Sequence, residues 1–271
     1  MGILAAMFKT VEISDPRFAC DGLRFVTVHS AALGQRADLT LFVPAEATGL
    51  KDLPIAILLH GVYGSHWAWA LKGGAHRTAA RLIAAGELPP MVLAMPSDGL
   101  WGDGSGYVPH ATQDFERWIV EEVPAATNLA VAETSPDSPL FLAGLSMGGF
   151  GALRLGGKFP RRFRAVSGHS SATHQDQFKT LIGGRLREWS GKEEDRSVLA
   201  ALVRSRGNLP PIRFDCGVDD FLVEPSRELH RGLTAAGVPH SYEEFAGAHT
   251  WDYWEQHLPR SLRFFAAQLK P

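Results

Sequence analysis

One serine stands in a motif that is typical of nucleophilic catalysis. Residues 144–148 read Gly-Leu-Ser-Met-Gly, a G-x-S-x-G pattern centred on Ser146. An apolar run precedes this motif and a helical pattern follows it, which predicts that Ser146 lies on a sharp turn from a strand into a helix. The free amides at that helix N-terminus would face the oxyanion formed when the serine attacks a carbonyl. The five letters alone also fit an ordinary turn serine, but the flanking strand and helix favour a nucleophile.

A nucleophilic serine needs a base to take its proton. When the serine follows a central strand in this way, the chain order is serine, then an acid, then histidine. Six histidines follow Ser146, and His249 alone lies in a glycine-containing loop between the last predicted strand and the last predicted helix. We therefore predict His249 as the base. The other five are interpreted as surface or pocket-lining residues (His169, His174), as solvated helix residues (His230, His257) and as the start of the last strand (His240).

The carboxylate that orients the base should follow the predicted strand 212–217. Asp215, Asp219 and Asp220 are the candidates. Asp215 lies inside the strand, too early to reach its end, whereas the turn Gly217-x-x-Asp220 fits the presentation of a carboxylate. Asp219 is then a solvated or turn-capping neighbour. We predict Asp220 as the acid, with Asp219 as the alternative.

Two backbone amides are predicted to stabilise the oxyanion. His60-Gly61 ends an apolar run, and in a fold of this type the loop at that point supplies one donor, while the residue after the serine supplies the other. These donors are the amides of Val62 and Met147. An ordinary glycine-rich turn is the alternative interpretation of residues 60–64.

The chain has seven tryptophans, more than a core of this size needs. Two of them, Trp118 and Trp254, are predicted to pack in the core. Three others are predicted to line an apolar pocket for the substrate: Trp101, Trp189 and Trp251.

The elements that must position these residues alternate between short apolar runs and longer helical patterns. This alternation predicts an α/β fold in one domain over residues 1–271, with helices on both faces of a mostly parallel sheet of eight strands. The expected strands are 23–30, 38–44, 55–60, 91–95, 140–145, 163–168, 212–217 and 241–245. The first two should form an antiparallel pair at the sheet edge.

The expected helices are 75–85, 112–126 (ending beside Pro124), 147–159, 224–236 and 250–269. Residues 172–209 break the alternation and are predicted to form a small cap over the site.

The sequence resembles an esterase family of α/β hydrolases that includes S-formylglutathione hydrolases, feruloyl esterases, acetylxylan esterases and mycolyltransferases. The resemblance spans about residues 20–268 and implies the α/β-hydrolase fold, the Ser146–Asp220–His249 triad and the Val62 and Met147 donors. Eukaryotic-type S-formylglutathione hydrolases carry a cysteine where Met147 stands, which disfavours a glutathione thioester as substrate. The motifs are Leu58-Leu59-His60-Gly61, Met95-Pro96-Ser97, Phe115-Glu116, Glu122-Val123-Pro124, residues 144–149, Cys216-Gly217, Asp220-Phe221-Leu222, Gly247-x-His249-x-Trp251 and Tyr253-Trp254.

The composition of the chain limits the classes of partner that are expected. Lys plus Arg is 27 and Asp plus Glu is 29, well mixed along the chain, so neither a nucleic-acid partner nor a membrane anchor is expected. Two cysteines are too few for a disulfide framework, and Cys216 is predicted to be a small buried hydrophobe. The apolar patch at the start of the chain is too short for a signal-peptide core. A cytoplasmic protein acting on a small-molecule ester is expected, and a homo-oligomer is left open. No cofactor or metal is expected, because the histidines and cysteines lack ligand spacing.

Three functions fit this pattern. The first is a serine carboxylesterase that hydrolyses small acyl or aryl esters through an acyl-enzyme. The second is a thioesterase of the S-formylglutathione type or an acyltransferase. The third is a binding protein of the same fold without catalysis, which the complete set of Ser146, Asp220 and His249 disfavours.

Overall fold

The computed structural model describes residues 6–182 and 192–269. Within these residues one sheet of nine strands runs in the order β1-β2-β3-β5-β4-β6-β7-β8-β9. The first three strands are antiparallel to their neighbours, and β4 to β9 are parallel. The strands are β1 (Phe8–Ile13), β2 (Leu23–Ser30), β3 (Gln35–Phe42), β4 (Ile55–Leu59), β5 (Val92–Pro96), β6 (Leu140–Leu145), β7 (Ala165–His169), β8 (Ile212–Gly217) and β9 (Ser241–Phe245).

The predicted count of eight strands is wrong by one, because β1 was missed. This strand pairs with β2, so residues 23–30 and their partner β3 are antiparallel as predicted but do not lie at the sheet edge. Phe8 is the one buried residue of β1, and the other five positions are half-buried or exposed. An edge strand with a single buried side chain has almost no period-2 pattern for sequence analysis to find.

The central strands carry apolar residues at every position because helices cover both faces of the sheet. Along β4, Ile55, Ile57 and Leu59 pack into one core, whereas Ala56 and Leu58 pack into the other. The labelled helices are α1 (Ala68–Leu71), α2 (Ala75–Ala84), α3 (Phe115–Arg117), α4 (Val123–Ala130), α5 (Met147–Lys158), α6 (Lys179–Ile182), α7 (Val198–Arg204), α8 (Val223–Ala235) and α9 (Trp251–Ala267). Short 3-10 helices cover Pro16–Phe18, Ala45–Ala47, Gln175–Phe178 and Glu193–Arg196.

Helical structure continues past Pro124, where the sequence predicts an end. A π-helical segment, Trp118–Glu122, joins α3 to α4, and the proline falls in the first turn of α4. Pro124 has no amide to donate to the preceding turn, whereas the amide of Val123 before it donates to the carbonyl of Trp118 across the π turn. The wider π turn thus accommodates the proline without ending the helix.

The predicted cap region, 172–209, is helical in its described parts. Its helix α7 packs against α5, where a Cβ on Gly157 would meet the backbone of Ala201 at 2.8 Å. The Phe178 ring lies edge-on to Phe150 of α5, with centroids 5.4 Å apart. These parts therefore rest on the helix that begins after Ser146. Trp189 lies outside the described residues, and the cap over the site stays a prediction.

None of the helices within residues 6–182 and 192–269 has the length and apolar character needed to cross a bilayer.

Candidate active site

Ser146 lies on the sharp turn between β6 and α5, as its motif predicts. Its backbone is at φ 54° and ψ −117°, a conformation that costs a residue with a side chain about 1–3 kcal/mol. The surroundings fix it there: the Ser146 amide donates to the carbonyl oxygen of His169 at 3.0 Å, and its own carbonyl accepts the amide of Ala172 at 3.2 Å. The strained turn presents the hydroxyl beyond the end of the sheet.

The two motif glycines are required by close backbone approach. A Cβ on Gly144 would overlap the carbonyl of Gly148 across the turn, and a Cβ on Gly148 would overlap the carbonyl of Leu59 at the end of β4. Any larger residue at either position would push α5 away from the sheet. The pattern around Ser146 thus reflects backbone packing as well as chemistry.

The structure brings Ser146, His249 and Asp220 together in one hydrogen-bonded chain, which we name the cavity trio. The Ser146 hydroxyl lies 3.0 Å from Nε2 of His249. The Nδ1 atom of the same ring lies 2.8 Å and 3.1 Å from the two carboxylate oxygens of Asp220. Such a chain allows the imidazole to take the serine proton while the carboxylate stabilises the imidazolium.

The competing carboxylates do not reach this imidazole. The Asp220 side chain is fully buried and also accepts the amide of Leu222 at 2.8 Å, which fixes its orientation. Asp219 is exposed. Asp215 lies inside β8, where its carboxylate accepts from the Arg213 guanidinium at 2.6 Å. The geometry therefore supports Asp220 over both alternatives.

Val62 and Met147 both lie next to the serine. Val62 follows β4 through Gly61, where a Cβ would come within 3.2 Å of the Ser146 Cβ, and Met147 is the first residue of α5. Neither amide donates to a residue in the described part of the chain. Two amides beside a nucleophile can serve as donors to an oxyanion. Their role stays a prediction, because the geometry shows position alone.

A cavity of about 360 Å³ opens beside Ser146 and His249. Its wall is largely aromatic, and Trp251 lies in it as predicted. The Trp101 side chain is placed elsewhere, edge-on to His110 with ring centroids 4.3 Å apart. Aromatic side chains on the wall are Tyr63, Trp67, Phe221, Trp251 and Trp254.

Sequence analysis did not place five of the large side chains on this wall: Tyr63, Trp67, Lys72, Phe221, and Trp254, which it predicted for the core. Two signals could have found most of them. Tyr63 and Trp67 lie in the loop that carries Val62, and Phe221 directly follows Asp220. Its ring lies 4.6 Å from the His249 ring, centroid to centroid. Position next to a predicted site residue is thus informative in loops at the end of a sheet.

A second serine–histidine–aspartate chain, the buried trio, consists of Ser261, His169 and Asp215. The Ser261 hydroxyl lies 2.8 Å from Nε2 of His169, and Nδ1 of that ring lies 3.0 Å from a carboxylate oxygen of Asp215. All three side chains are fully buried. The interpretation of His169 as a surface or pocket residue is therefore wrong, because its ring is bonded at both nitrogens inside the core.

His257, interpreted as solvated, is also buried. Its ring stacks on Phe245 with centroids 4.4 Å apart. Burial, more than its charged neighbours, lowers the pKa of this imidazole. His257 was assigned to the solvated side because the helical pattern of its segment does not by itself show which side faces the sheet.

Cys216 is buried, as predicted, at the end of β8. Burial, with a smaller contribution from Asp220, raises the pKa of its thiol to about 12. A thiol with so high a pKa is not ionised at neutral pH, so Cys216 is no competing nucleophile.

Residues 6–182 and 192–269 contain no group of three or more His, Cys, Asp or Glu side chains arranged to hold a metal ion.

A family model described as "Putative esterase" matches residues 30–265. The chain belongs to this esterase family. It is 26% identical over 235 residues to an acetyl esterase of Caldicellulosiruptor saccharolyticus, covering 80% of this chain and 84% of that one. It is 27% identical over 274 residues to an S-formylglutathione hydrolase of Paracoccus denitrificans (strain Pd 1222), covering 92% of this chain and 94% of that one.

A solved ferulic acid esterase structure has a TM-score of 0.75 and 26% identity to this esterase, covering 97% of this chain and 100% of that one. The predicted α/β-hydrolase fold and the family resemblance are confirmed. The chain is an enzyme, a carboxylic ester hydrolase, and small-molecule esters are its substrate class.

Proposed function

We propose that this esterase is a serine carboxylesterase that uses the cavity trio and forms an acyl-enzyme. The hydrogen-bonded chain from Ser146 through His249 to Asp220, ending at an open cavity, carries the proposal. In the first step the Ser146 hydroxyl attacks the ester carbonyl while His249 takes its proton. The tetrahedral intermediate then collapses, the alcohol leaves with that proton, and the acyl group stays on the serine.

Water completes the cycle in the second step. His249 takes a proton from the water, which attacks the acyl-enzyme, and the carboxylic acid leaves as Ser146 regains its proton. The amides of Val62 and Met147 donate to the oxyanion in both steps. Each such donor contributes about 3–4 kcal/mol to transition-state stabilisation in serine hydrolases.

The cavity supports small acyl or aryl esters as substrates. Its volume of about 360 Å³ lies at the low end for ligand pockets. Its aromatic wall favours apolar groups, since aromatic pairs add stabilisation beyond area burial. The acetyl esterase and ferulic acid esterase relatives agree with this range of acyl groups.

Pre-steady-state hydrolysis of p-nitrophenyl acetate tests the acyl-enzyme. Mixing a high enzyme concentration with this ester should release p-nitrophenol and leave one acetyl group on Ser146, detected by mass spectrometry after acid quench. Release of p-nitrophenol without any acetylated protein at any quench time would exclude a covalent serine mechanism.

A thioesterase of the S-formylglutathione type is the second candidate. The relative from Paracoccus denitrificans, named for that reaction, matches over most of both chains. Met147, in place of cysteine, is the observation against it. The ratio of kcat/KM for S-formylglutathione to that for p-nitrophenyl acetate decides between the two: we expect the aryl ester to be preferred.

We also propose a cytoplasmic location, supported by two unpaired thiols, Cys20 and Cys216. Free thiols are common where the redox poise is reducing. Subcellular fractionation of cells that produce the chain tests this.

A further inference from the structure

One lysine lies on the largely aromatic wall of the cavity beside Ser146. Among the described residues that line it, Lys72 is the one lysine or arginine, and no aspartate or glutamate lines it. An ammonium on a wall that carries no carboxylate of its own attracts anionic groups at short range. Such a cavity favours a substrate that carries a negative charge.

Lys72 is held at the cavity by its neighbours. It directly follows α1, and its amide donates to Ala68 at 2.9 Å. Its ammonium lies 5.5 Å from the centroid of the Trp251 ring. The next residue, Gly73, has no side chain, and a Cβ there would come within 2.9 Å of that same ring. The lysine stem and the indole are therefore packed side by side.

No aspartate or glutamate in residues 6–182 or 192–269 forms an ion pair with the Lys72 ammonium. Two carboxylates, Asp252 and Glu255, line an adjoining groove that Lys72 also borders. Both lie on the groove side, whereas no described aspartate or glutamate lines the cavity side.

The wall connects Lys72 to His249 through two tryptophan rings in edge-on contact. Trp251 lies edge-on to Trp254 with centroids 5.2 Å apart, and Trp254 lies edge-on to His249 at 5.0 Å. An apolar or aromatic group bound against these rings would extend from Ser146 towards the ammonium. Counted along the wall from His249, Lys72 thus lies beyond Trp254 and Trp251.

We infer that Lys72 is a specificity-determining residue that binds an anionic group, such as a carboxylate, at the outer end of the ester substrate. The inference depends on the proposed function, because it places this group relative to Ser146. The anion could belong to the acyl part or to the alcohol part of the ester. The chemistry is the same in both cases: an ion pair with the exposed Lys72 ammonium, formed beside the Trp251 ring.

Two matched pairs of esters separate these cases. For the acyl part, the pair is mono-p-nitrophenyl adipate and its methyl ester. For the alcohol part, the pair is 4-acetoxybenzoate and its methyl ester. Within a pair the size is nearly constant and the charge differs. The readout is the ratio of kcat/KM for the anionic member to that for the neutral member.

The test variants are Lys72→Met, which keeps the stem beside Trp251, and Lys72→Glu. The control is Lys51→Met. Lys51 is exposed and precedes β4, so it lies at the end of the strands opposite to the end that carries the site. In at least one pair the ratio should fall about 2- to 5-fold in Lys72→Met, the range for an exposed ion pair. It should fall further in Lys72→Glu and stay at the parent value in Lys51→Met. Raising the salt concentration should lower the parent ratio and leave that of Lys72→Met nearly constant.

An equal loss for both members of each pair would show that Lys72 only supports Trp251, and would overturn the inference. A ratio that is the same in parent and Lys72→Met would also overturn it. Failure of the proposed function has a different signature, because hydrolysis of the neutral esters would then survive the Ser146→Ala substitution.

Discussion

The molecule contains two serine–histidine–aspartate chains with nearly the same internal geometry. In the cavity trio the serine–histidine and histidine–aspartate distances are 3.0 Å and 2.8 Å; in the buried trio they are 2.8 Å and 3.0 Å. The difference lies in their surroundings. Ser146 has a strained backbone, two nearby amides and an open cavity, whereas Ser261 lies within the helix α9 and is fully buried. Hydrogen-bond connectivity alone therefore does not define a catalytic site.

The buried trio has a structural role that follows from what it joins. Its members lie on β7, β8 and α9, and Asp215 also accepts from Arg213 at 2.6 Å and from the Tyr253 hydroxyl at 2.8 Å. The backbone carbonyl of His169 accepts a hydrogen bond from the Ser146 amide. The network thus ties together the elements that carry the cavity trio.

Removing each serine should give the largest contrast. Ser146→Ala should lower ester turnover by about 10⁴-fold or more, because only binding and the oxyanion donors remain. Ser261→Ala should keep turnover near that of the parent and cost about 1–3 kcal/mol of unfolding free energy, since His169 loses a buried partner. Kinetics with p-nitrophenyl acetate and urea unfolding measure both. Equal losses of turnover would remove the distinction between the trios.

Substitution of the aspartates tests which carboxylate belongs to the cavity trio. Asp220→Asn should lower kcat by about 10⁴-fold, because the amide cannot stabilise the imidazolium of His249. Asp219→Asn, its neighbour, should change kcat little. If the ranking is reversed, Asp219 is the acid and the interpretation of the turn is wrong.

Asp215→Asn should act on stability. It leaves the buried Arg213 without a full counter-charge, which costs about 3–5 kcal/mol of unfolding free energy. The exposed Asp219→Asn is the matched control and should stay within about 0.5 kcal/mol of the parent. Urea unfolding at neutral pH measures both, and a change as small as that of the control would contradict an ionised Asp215.

The difference in stability between the parent and Asp215→Asn should depend on pH. Burial raises the pKa of Asp215, but His169, Arg213 and Tyr253 together lower it from the ordinary 3.8 to about 2. A carboxyl whose pKa is lower in the folded state adds stability above its unfolded pKa and loses it as pH falls towards the folded value. The stability gap between parent and Asp215→Asn should therefore narrow by about 1 kcal/mol between about pH 5 and pH 3. A constant gap would contradict the lowered pKa.

The smallest effects concern the tryptophans. Trp251→Ala should weaken transition-state binding of bulky aryl esters by about 1–3 kcal/mol relative to acetate esters. Trp101→Ala, whose ring packs on His110, should affect all esters alike. The same series with Trp189→Ala tests the predicted cap: selective loss on bulky esters places Trp189 in the pocket, and an equal loss or none places it outside.

The cavity trio could be predicted because its signals are local. The serine motif reports backbone sterics within five residues, and the fold fixes the order of Asp220 and His249 along the chain. The buried trio could not, because no local motif marks His169, Asp215 or Ser261. Sequence separation does not distinguish the two trios: it is 46 and 92 residues in the buried trio and 29 and 103 in the cavity trio. Burial of a polar side chain depends on partners that only the folded chain supplies. The same holds for β1, whose pairing with β2 left a single buried residue, and for Lys72, whose position depends on Trp251.

Covalent labelling tests the central claim most directly. A fluorophosphonate reacts with a serine that is both activated and accessible, displacing fluoride and phosphonylating the hydroxyl oxygen. Intact-mass and peptide mass spectrometry should find one phosphonyl group per chain, located on Ser146, absent from Ser146→Ala and retained in Ser261→Ala. Label on any other residue of the parent, or full labelling of Ser146→Ala, would contradict the assignment of Ser146 as the nucleophile.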